Sequence, residues 1–314
     1  MDSPQHLKKR LKSVKNICKI TKAMELVSAT KMRKAQEVAL MSRPYALVAL
    51  DLLANLSLIN EDLPELLKSR ESIKKVLFVL VSSDKGLAGS FNSAVFRKFQ
   101  QHLDRDKEKY KNEEKVFMAI GEKANQYLIG KGLTVSKKFI EAGDFAKPNE
   151  VHPITDFIIS GYLEKKWDRA VIISNHFLSA LKQEPHVRLA LPINFDSILE
   201  IVKEIIPKTG KFADLIKEND LKFTVNKKSA DYLIEPSPEV VLENLAKHLF
   251  FIQMYQLILE ANAAEHSARR MAMKTASDNA SDLLEKINLE YNKVRQAGIT
   301  NQIIEIVSGA EALN

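Results

Sequence analysis

AEHSARRMAMKTASDNASDLLEKINLEYNKVRQAG, residues 264–298, is the stretch whose spacing decides the fold. Ala264, Ala268, Ala272, Ala276 and Ala280 recur every four residues. That is a seam of small side chains on one helix face, and it lets a second backbone approach closely. Leu284, Ile287, Tyr291, Val294 and Gly298 then continue in alternating steps of three and four, which is coiled-coil spacing. Upstream, Ser237-Pro238-Glu239 combines a capping hydroxyl with proline at the first helical position. No proline follows, and only Gly298 and Gly309 interrupt a run of helix formers. A continuous helix of this extent would be roughly 110 Å long, so it cannot bury its seam within one small domain and needs a partner helix.

The opposite end of the chain supplies that partner. Ser3-Pro4 repeats the start signal, and Leu7, Leu11, Val14, Ile17, Ile20, Met24, Val27 and Met32 form a stripe at three- and four-residue steps. Pro44 is expected to kink this helix without ending it, since Tyr45 to Leu56 remains strongly helix-forming. Residues 3–57 would then reach roughly 80 Å. The expected architecture is a long antiparallel coiled coil of residues 1–58 and 237–314.

Between the two helices the pattern changes. Val76-Leu77-Phe78-Val79-Leu80-Val81 is an unbroken apolar run, as a strand buried on both faces requires. Residues 116–120 and 170–174 look similar, and amphipathic stretches at about 88–103, 122–131 and 153–166 separate them. Strand and helix alternation predicts an α/β domain over 74–195 with a mostly parallel sheet covered by helices. Residues 187–191 add a neighbouring strand after an excursion over 175–185. Residues 196–236 form an irregular insert and foot, with short helices at 197–206 and 212–218.

The chain has 314 residues, 45% hydrophobic and 28% charged, so it can bury a sizeable core. Its longest apolar stretch, 249–259, is interrupted by Gln253 and Gln256 and falls short of the roughly 20 residues a bilayer crossing needs. A single cysteine, Cys18, leaves no internal disulfide and suits a reducing compartment. The basic N-terminus has no apolar segment behind it, and the helical pattern runs straight on, so an unprocessed start is expected. The net charge of +7 is concentrated: residues 1–43 hold eleven Lys and Arg against three acids, a balance of +8. Such a stripe calls for an acidic partner.

Motifs for chemistry are sparse. The sequence has neither GxxxxGK[ST] nor GxGxxG. Gly86-Leu87-Ala88-Gly89-Ser90 after the first strand reads either as an anion cradle or as a tight strand-to-helix turn, and the turn is favoured. Seven scattered histidines show no metal-ligand spacing, and His176 reads as structural. Trp167 is expected at the sheet edge. Nucleic acid is disfavoured as a partner, because the basic helix carries an apolar stripe and no aromatic before Tyr45. Two alternatives stay open on these grounds: an α/β enzyme with helical dimerisation arms, and a nucleic-acid-binding coiled coil.

Both ends carry family motifs. Ile20-Thr21-Lys22-Ala23-Met24-Glu25-Leu26-Val27-Ser28-Ala29-Thr30-Lys31-Met32 resembles the N-terminal signature of ATP synthase gamma subunits. Tyr291-Asn292-Lys293-Val294-Arg295-Gln296-Ala297-Gly298-Ile299-Thr300, with Glu305-Ile306-Val307-Ser308-Gly309-Ala310, resembles the C-terminal one. Ser83-Asp84-Lys85-Gly86-Leu87-Ala88-Gly89-Ser90-Phe91-Asn92 is similar to the family's turn after its first strand, and the resemblance runs the whole length in order.

The resemblance implies an inserted Rossmann-like domain on the coiled coil and a non-catalytic rotor without cofactor or metal. It implies alpha and beta subunits around the coil, epsilon and the c-ring at the foot, and a peripheral position on the cytoplasmic side of a bacterial inner membrane. By motif, Lys22, Met24, Arg269, Gln296, Thr300 and Glu305 would face the catalytic ring, and Tyr232 and Glu235 would lie near the c-ring. Gln302 stands where the family commonly has an acid, Arg270 replaces a usual apolar residue, and Ala88 a frequent cysteine. Residues 196–229 are longer than the common connection, with no cysteine for a thiol switch.

Overall fold

The apolar run 76–81 becomes β1 (Lys75–Val81), the middle strand of a five-stranded sheet, in a computed structural model that describes residues 3–59, 64–105, 112–141, 147–193 and 235–311. Around it the chain forms α1 (Pro4–Ile59), α2 (Phe91–Arg105), β2 (Glu114–Ile120), α3 (Glu122–Gly130), β3 (Val135–Phe139), α4 (Pro148–Leu163), β4 (Arg169–Phe177), β5 (Gln183–Leu191) and α5 (Pro238–Glu311). The strand order is β3-β2-β1-β4-β5. β1 pairs in parallel with β2 and β4, β2 in parallel with β3, and only β5 runs antiparallel, against β4.

The unbroken hydrophobicity of β1 follows from its position. Leu77, Val79 and Val81 enter one core with Ile154 and Ile158 of α4 and Leu249, Ile252 and Leu257 of α5. Val76, Phe78 and Leu80 enter a second core with Val95 and Phe99 of α2 and Leu128 of α3. Alternate side chains thus serve opposite faces, and neither face can be polar. Trp167 lies in the first core, its indole N–H bonded to the Ile158 carbonyl at 3.1 Å. Gly161 lies against it, where a Cβ would overlap the indole. Arg70 and Asp168 tie the start of β1 to that of β4: Arg70 Nη1 donates to Asp168 Oδ1 at 2.6 Å, and the N–H groups of Lys74 and Lys75 donate to Oδ2.

The expected helices and strands are present with shifted ends. Two differences have clear causes. β3 escapes an apolar-run criterion because it is an edge strand whose Ser136, Lys137 and Lys138 face outward. β4 and β5 extend across most of the expected excursion: β4 continues to Phe177, and β5 starts at Gln183. There, the Asn175 and His176 side chains are buried with partners on α2 and α5 rather than exposed in a loop. The α1 helix continues through Pro44. The expected helices at 197–206 and 212–218 lie outside the described residues.

By contact, the chain divides into two compact units, Met1–Ser28 with Arg270–Asn314, and Ala29–Arg269. In the first, the α5 seam is as read: Ala280 and Ile287 are buried, joined by Met273 and Ser277, while Leu284, Tyr291 and Val294 are half-buried. The α1 stripe is corrected. Leu7, Leu11 and Val14 face inward, but from there the inner line passes through Cys18, Thr21, Glu25 and Ser28. Ile17, Ile20 and Val27 face solvent instead. Cys18 Sγ sits 3.8 Å from Ser277 Oγ and 3.4 Å from Ser281 Oγ, so small and hydroxyl-bearing residues form the close contact.

Candidate functional site

The coil unit presents apolar side chains where a self-contained coiled coil would present charge. On α1, Ile17, Ile20, Leu26 and Val27 are exposed, Ile20 and Leu26 by 59% and 61%. On α5, Ile299, Ile303, Ile304, Ile306 and Val307 are exposed, with Ile306 at 72%. Large exposed apolar residues grouped along a helix mark a surface made to be covered. Among them stand the motif residues of this unit. Lys22 is exposed, its Nζ 2.9 Å from Glu25 Oε2, and that hydrogen bond and charge raise its pKa above the usual lysine value. Met24 is half-buried. Gln296, Thr300 and Glu305 are all exposed, and Thr300 Oγ1 donates to its own helix at the Gln296 carbonyl. Gln302 is exposed on the same terminal stretch.

Arg269 differs from the expectation of an outward contact. It is only 9% exposed: Nη1 donates to Glu265 Oε1 at 2.6 Å, and Nη2 to the carbonyls of Lys85 and Gly86, both at 3.3 Å. A guanidinium held by a carboxylate and two carbonyls has little left to offer outside the chain. Glu235 is exposed just before α5, while Tyr232 lies outside the described residues.

In the α/β unit, Asp84 lies beyond the end of β1 and bonds the segments that follow β2 and β3. Its Oδ1 accepts the Glu122 N–H at the start of α3 at 2.9 Å, and its Oδ2 accepts the Glu141 N–H after β3 at 3.0 Å. The helix terminus that could otherwise receive a phosphate is satisfied by the protein's own carboxylate. Ser82 Oγ fills the next position by accepting the Ala124 N–H at 2.6 Å. Gly121, at φ +92°, makes room for this, since a Cβ there would collide with the Ser82 carbonyl. The 83–90 segment is the tight turn, not the anion cradle. Its Ser83 N–H goes to Asn92 Oδ1, its carbonyls point at Arg269, and Ala88 and Phe91 are buried with Met32, Phe177 and Ala264. The turn also exposes Leu87 by 65% at a left-handed φ of 64°, a feature with no apolar periodicity to betray it. Among the described residues, no three His, Cys, Asp or Glu side chains are grouped to hold a metal ion, and no helix is long and apolar enough to cross a membrane.

A family model described as ATP synthase matches residues 3–313. The ATP synthase gamma chain of Roseiflexus castenholzii is 34% identical over 315 residues, spanning 100% of this chain and 99% of that one. That of Herpetosiphon aurantiacus is 35% identical over 322 residues and 100% of both. The chain belongs to the ATP synthase gamma chain family. The gamma-chain fold is also that of solved structures. A chain of the Euglena gracilis mitochondrial ATP synthase rotor matches at a TM-score of 0.60 with 16% identity, over 94% of this chain and 98% of that one. A chain of the Tetrahymena thermophila mitochondrial ATP synthase central stalk and c-ring matches at 0.55 with 21% identity, over 82% and 99%. Within the family, the outward apolar residues of both long helices are the feature of this chain that most needs a partner.

Proposed function

We propose that the chain is the central-stalk rotor subunit of ATP synthase: it carries torque between a proton-driven c-ring and the catalytic beta subunits and catalyses nothing itself. The observation that carries this reading is the apolar outer surface of the coil unit, with Ile17, Ile20, Leu26 and Val27 on one helix and Ile299, Ile303, Ile306 and Val307 on the other. An apolar surface can turn within an apolar sleeve, because hydrophobic contact is non-directional and no ion pair must break at each step. The Asp84 cap agrees with a passive α/β domain, since the N–H at the start of α3 is taken by the chain's own carboxylate.

In this reading, residues 1–58 and 237–314 form the shaft, 74–195 the inserted domain and 196–236 the foot. Lys22, Met24, Gln296, Thr300 and Glu305 face the ring of alpha and beta subunits, and the +8 balance of residues 1–43 meets acidic loops of beta. Arg269 braces the 83–90 turn. Glu235 and Tyr232 belong to the foot, near epsilon and the c-ring. The complex sits on the cytoplasmic side of a bacterial inner membrane, with this chain peripheral to it.

The test is co-expression with the alpha and beta subunits of the same organism. A stable assembly containing one copy of this chain, hydrolysing ATP faster than alpha and beta alone, is the expected result. A chain that stays free and leaves hydrolysis unchanged would overturn the rotor reading.

A further inference from the structure

Between Glu260 and Arg269, α5 changes how it is held against the sheet. Up to Leu259 its contacts are mainly those of an apolar core, through Leu249, Ile252, Leu257, Ile258 and Leu259, with Gln253 and Gln256 buried among them but no charged group. At Glu260 a buried carboxylate faces the β4–β5 pair. Glu260 Oε1 meets His176 Nδ1 of β4 and accepts the Phe177 N–H at 3.3 Å, and Oε2 accepts Arg188 Nη1 of β5 at 3.1 Å. Arg188 Nη2 also lies 3.2 Å from His176 Nδ1, closing the three side chains on one another. His176 and Glu260 are almost wholly enclosed, and Arg188 is largely so. Two turns on, Ser267 Oγ donates to the Ala180 carbonyl at 2.7 Å and receives Gln183 Nε2 at 3.1 Å. Arg269 then reaches the Lys85 and Gly86 carbonyls.

We infer that the Glu260–His176–Arg188 cluster is the torque-transmitting joint of the rotor, the point at which turning force on the α/β domain is passed to α5 without slippage. The inference rests on the rotor reading. Its physical basis is the difference between apolar and polar registers. An apolar helix face on an apolar sheet is held in register by shape alone, because hydrophobic contact has no direction of its own. A buried carboxylate and guanidinium have one acceptable position: a slip of one helical turn, about 5.4 Å, would leave both charges enclosed without partners. Buried ion clusters are poor sources of net stability but effective at fixing register, which is what a joint under load needs. Glu260, His176 and Arg188 are therefore positioning residues that act through α5.

The test separates stability from coupling. The complete ATP synthase is assembled with the triple variant Glu260→Met, His176→Leu, Arg188→Met, placed in liposomes, and compared with the unaltered complex. The readouts are the chain's thermal midpoint, the ATP hydrolysis rate, and protons pumped per ATP hydrolysed. The expected result is an unchanged or raised midpoint, retained hydrolysis, and a pumping ratio below that of the unaltered complex. A pumping ratio equal to that of the unaltered complex would overturn the joint. A second pair keeps the test decisive if the triple variant does not assemble. Arg188→Lys retains the charge opposite Glu260 and should keep coupling, whereas Arg188→Met should lose it at the same assembled amount. Equal coupling in that pair would also overturn the joint. An unaltered complex that assembles but pumps nothing would instead overturn the rotor reading, and the joint with it.

Discussion

The coil unit and the α/β unit solve opposite packing problems with the same kinds of residue. In the α/β unit large apolar side chains go inward: β1 is buried along almost its whole length and serves two cores at once. In the coil unit the inner line of α1 passes through Cys18, Thr21, Glu25 and Ser28, with Cys18 against Ser277, while Ile17, Ile20 and Val27 point out. A sheet domain gains stability from area removed from water, so it fills its interior with the largest side chains that fit. A helix pair at close approach has no room for them, and here the apolar residues are displaced to the outer surface. The comparison teaches that hydrophobic periodicity reports which residues are apolar at a given spacing, not which face ends up inside.

The contrast can be broken or sharpened experimentally. Gly121→Ala should be the most damaging change, because it combines a left-handed backbone with a Cβ driven into the Ser82 carbonyl. A loss of about 4 kcal/mol in denaturant-derived stability is expected. A loss under about 1 kcal/mol would mean that this turn has slack for a methyl group. Ser277→Leu puts bulk into the seam opposite Cys18 and should cost about 2–3 kcal/mol by overpacking, read as a lower urea midpoint. If it stabilises the chain instead, the small-residue seam is not set by close approach.

Asp168→Asn comes next, at about 2 kcal/mol at neutral pH, through lost charged hydrogen bonds to Arg70, Lys74 and Lys75. Burial pushes the Asp168 carboxyl up, but the Lys74 N–H, the Arg70 side chain and the Lys75 N–H together outweigh it and hold its pKa below the ordinary value. A pKa depressed by folding contributes stability that is complete above the unfolded value of about 4 and disappears as pH falls through the folded value. The unaltered chain should therefore lose stability below about pH 4 more steeply than the Asn variant, as acid titrations of the unfolding midpoint would reveal. Ile20→Ser should have the smallest effect on stability, within about 0.5 kcal/mol, since the side chain is already in water. Its effect belongs to assembly: the variant should associate measurably more weakly with the alpha and beta subunits. Unchanged association would remove Ile20 from the proposed sleeve contact.

Much of this was legible in the residues. The Ser3-Pro4 and Ser237-Pro238 starts, the α5 seam from Ala264 to Val294, and β1, β2 and β4 could be read because capping, periodicity and double-sided burial leave local marks. Of the motif residues, Lys22, Gln296, Thr300 and Glu305 are exposed. β3 left no such mark, because an edge strand is polar by necessity. Arg269 sets a related limit. A charged residue in a recognisable motif reads as available, and only the return of the 83–90 turn to α5 shows that its donors are engaged.

By itself the sequence determined the two long helices, the alternating strands and helices between them, and the family, all encoded in spacing and short motifs. Tertiary structure alone decided which α1 face is inner, that Asp84 caps α3, and that Glu260 meets His176 and Arg188 across 84 and 72 residues. Each of these depends on a partner distant in the chain. A side chain's surroundings, unlike its periodicity, exist only once the backbone has brought that partner to it.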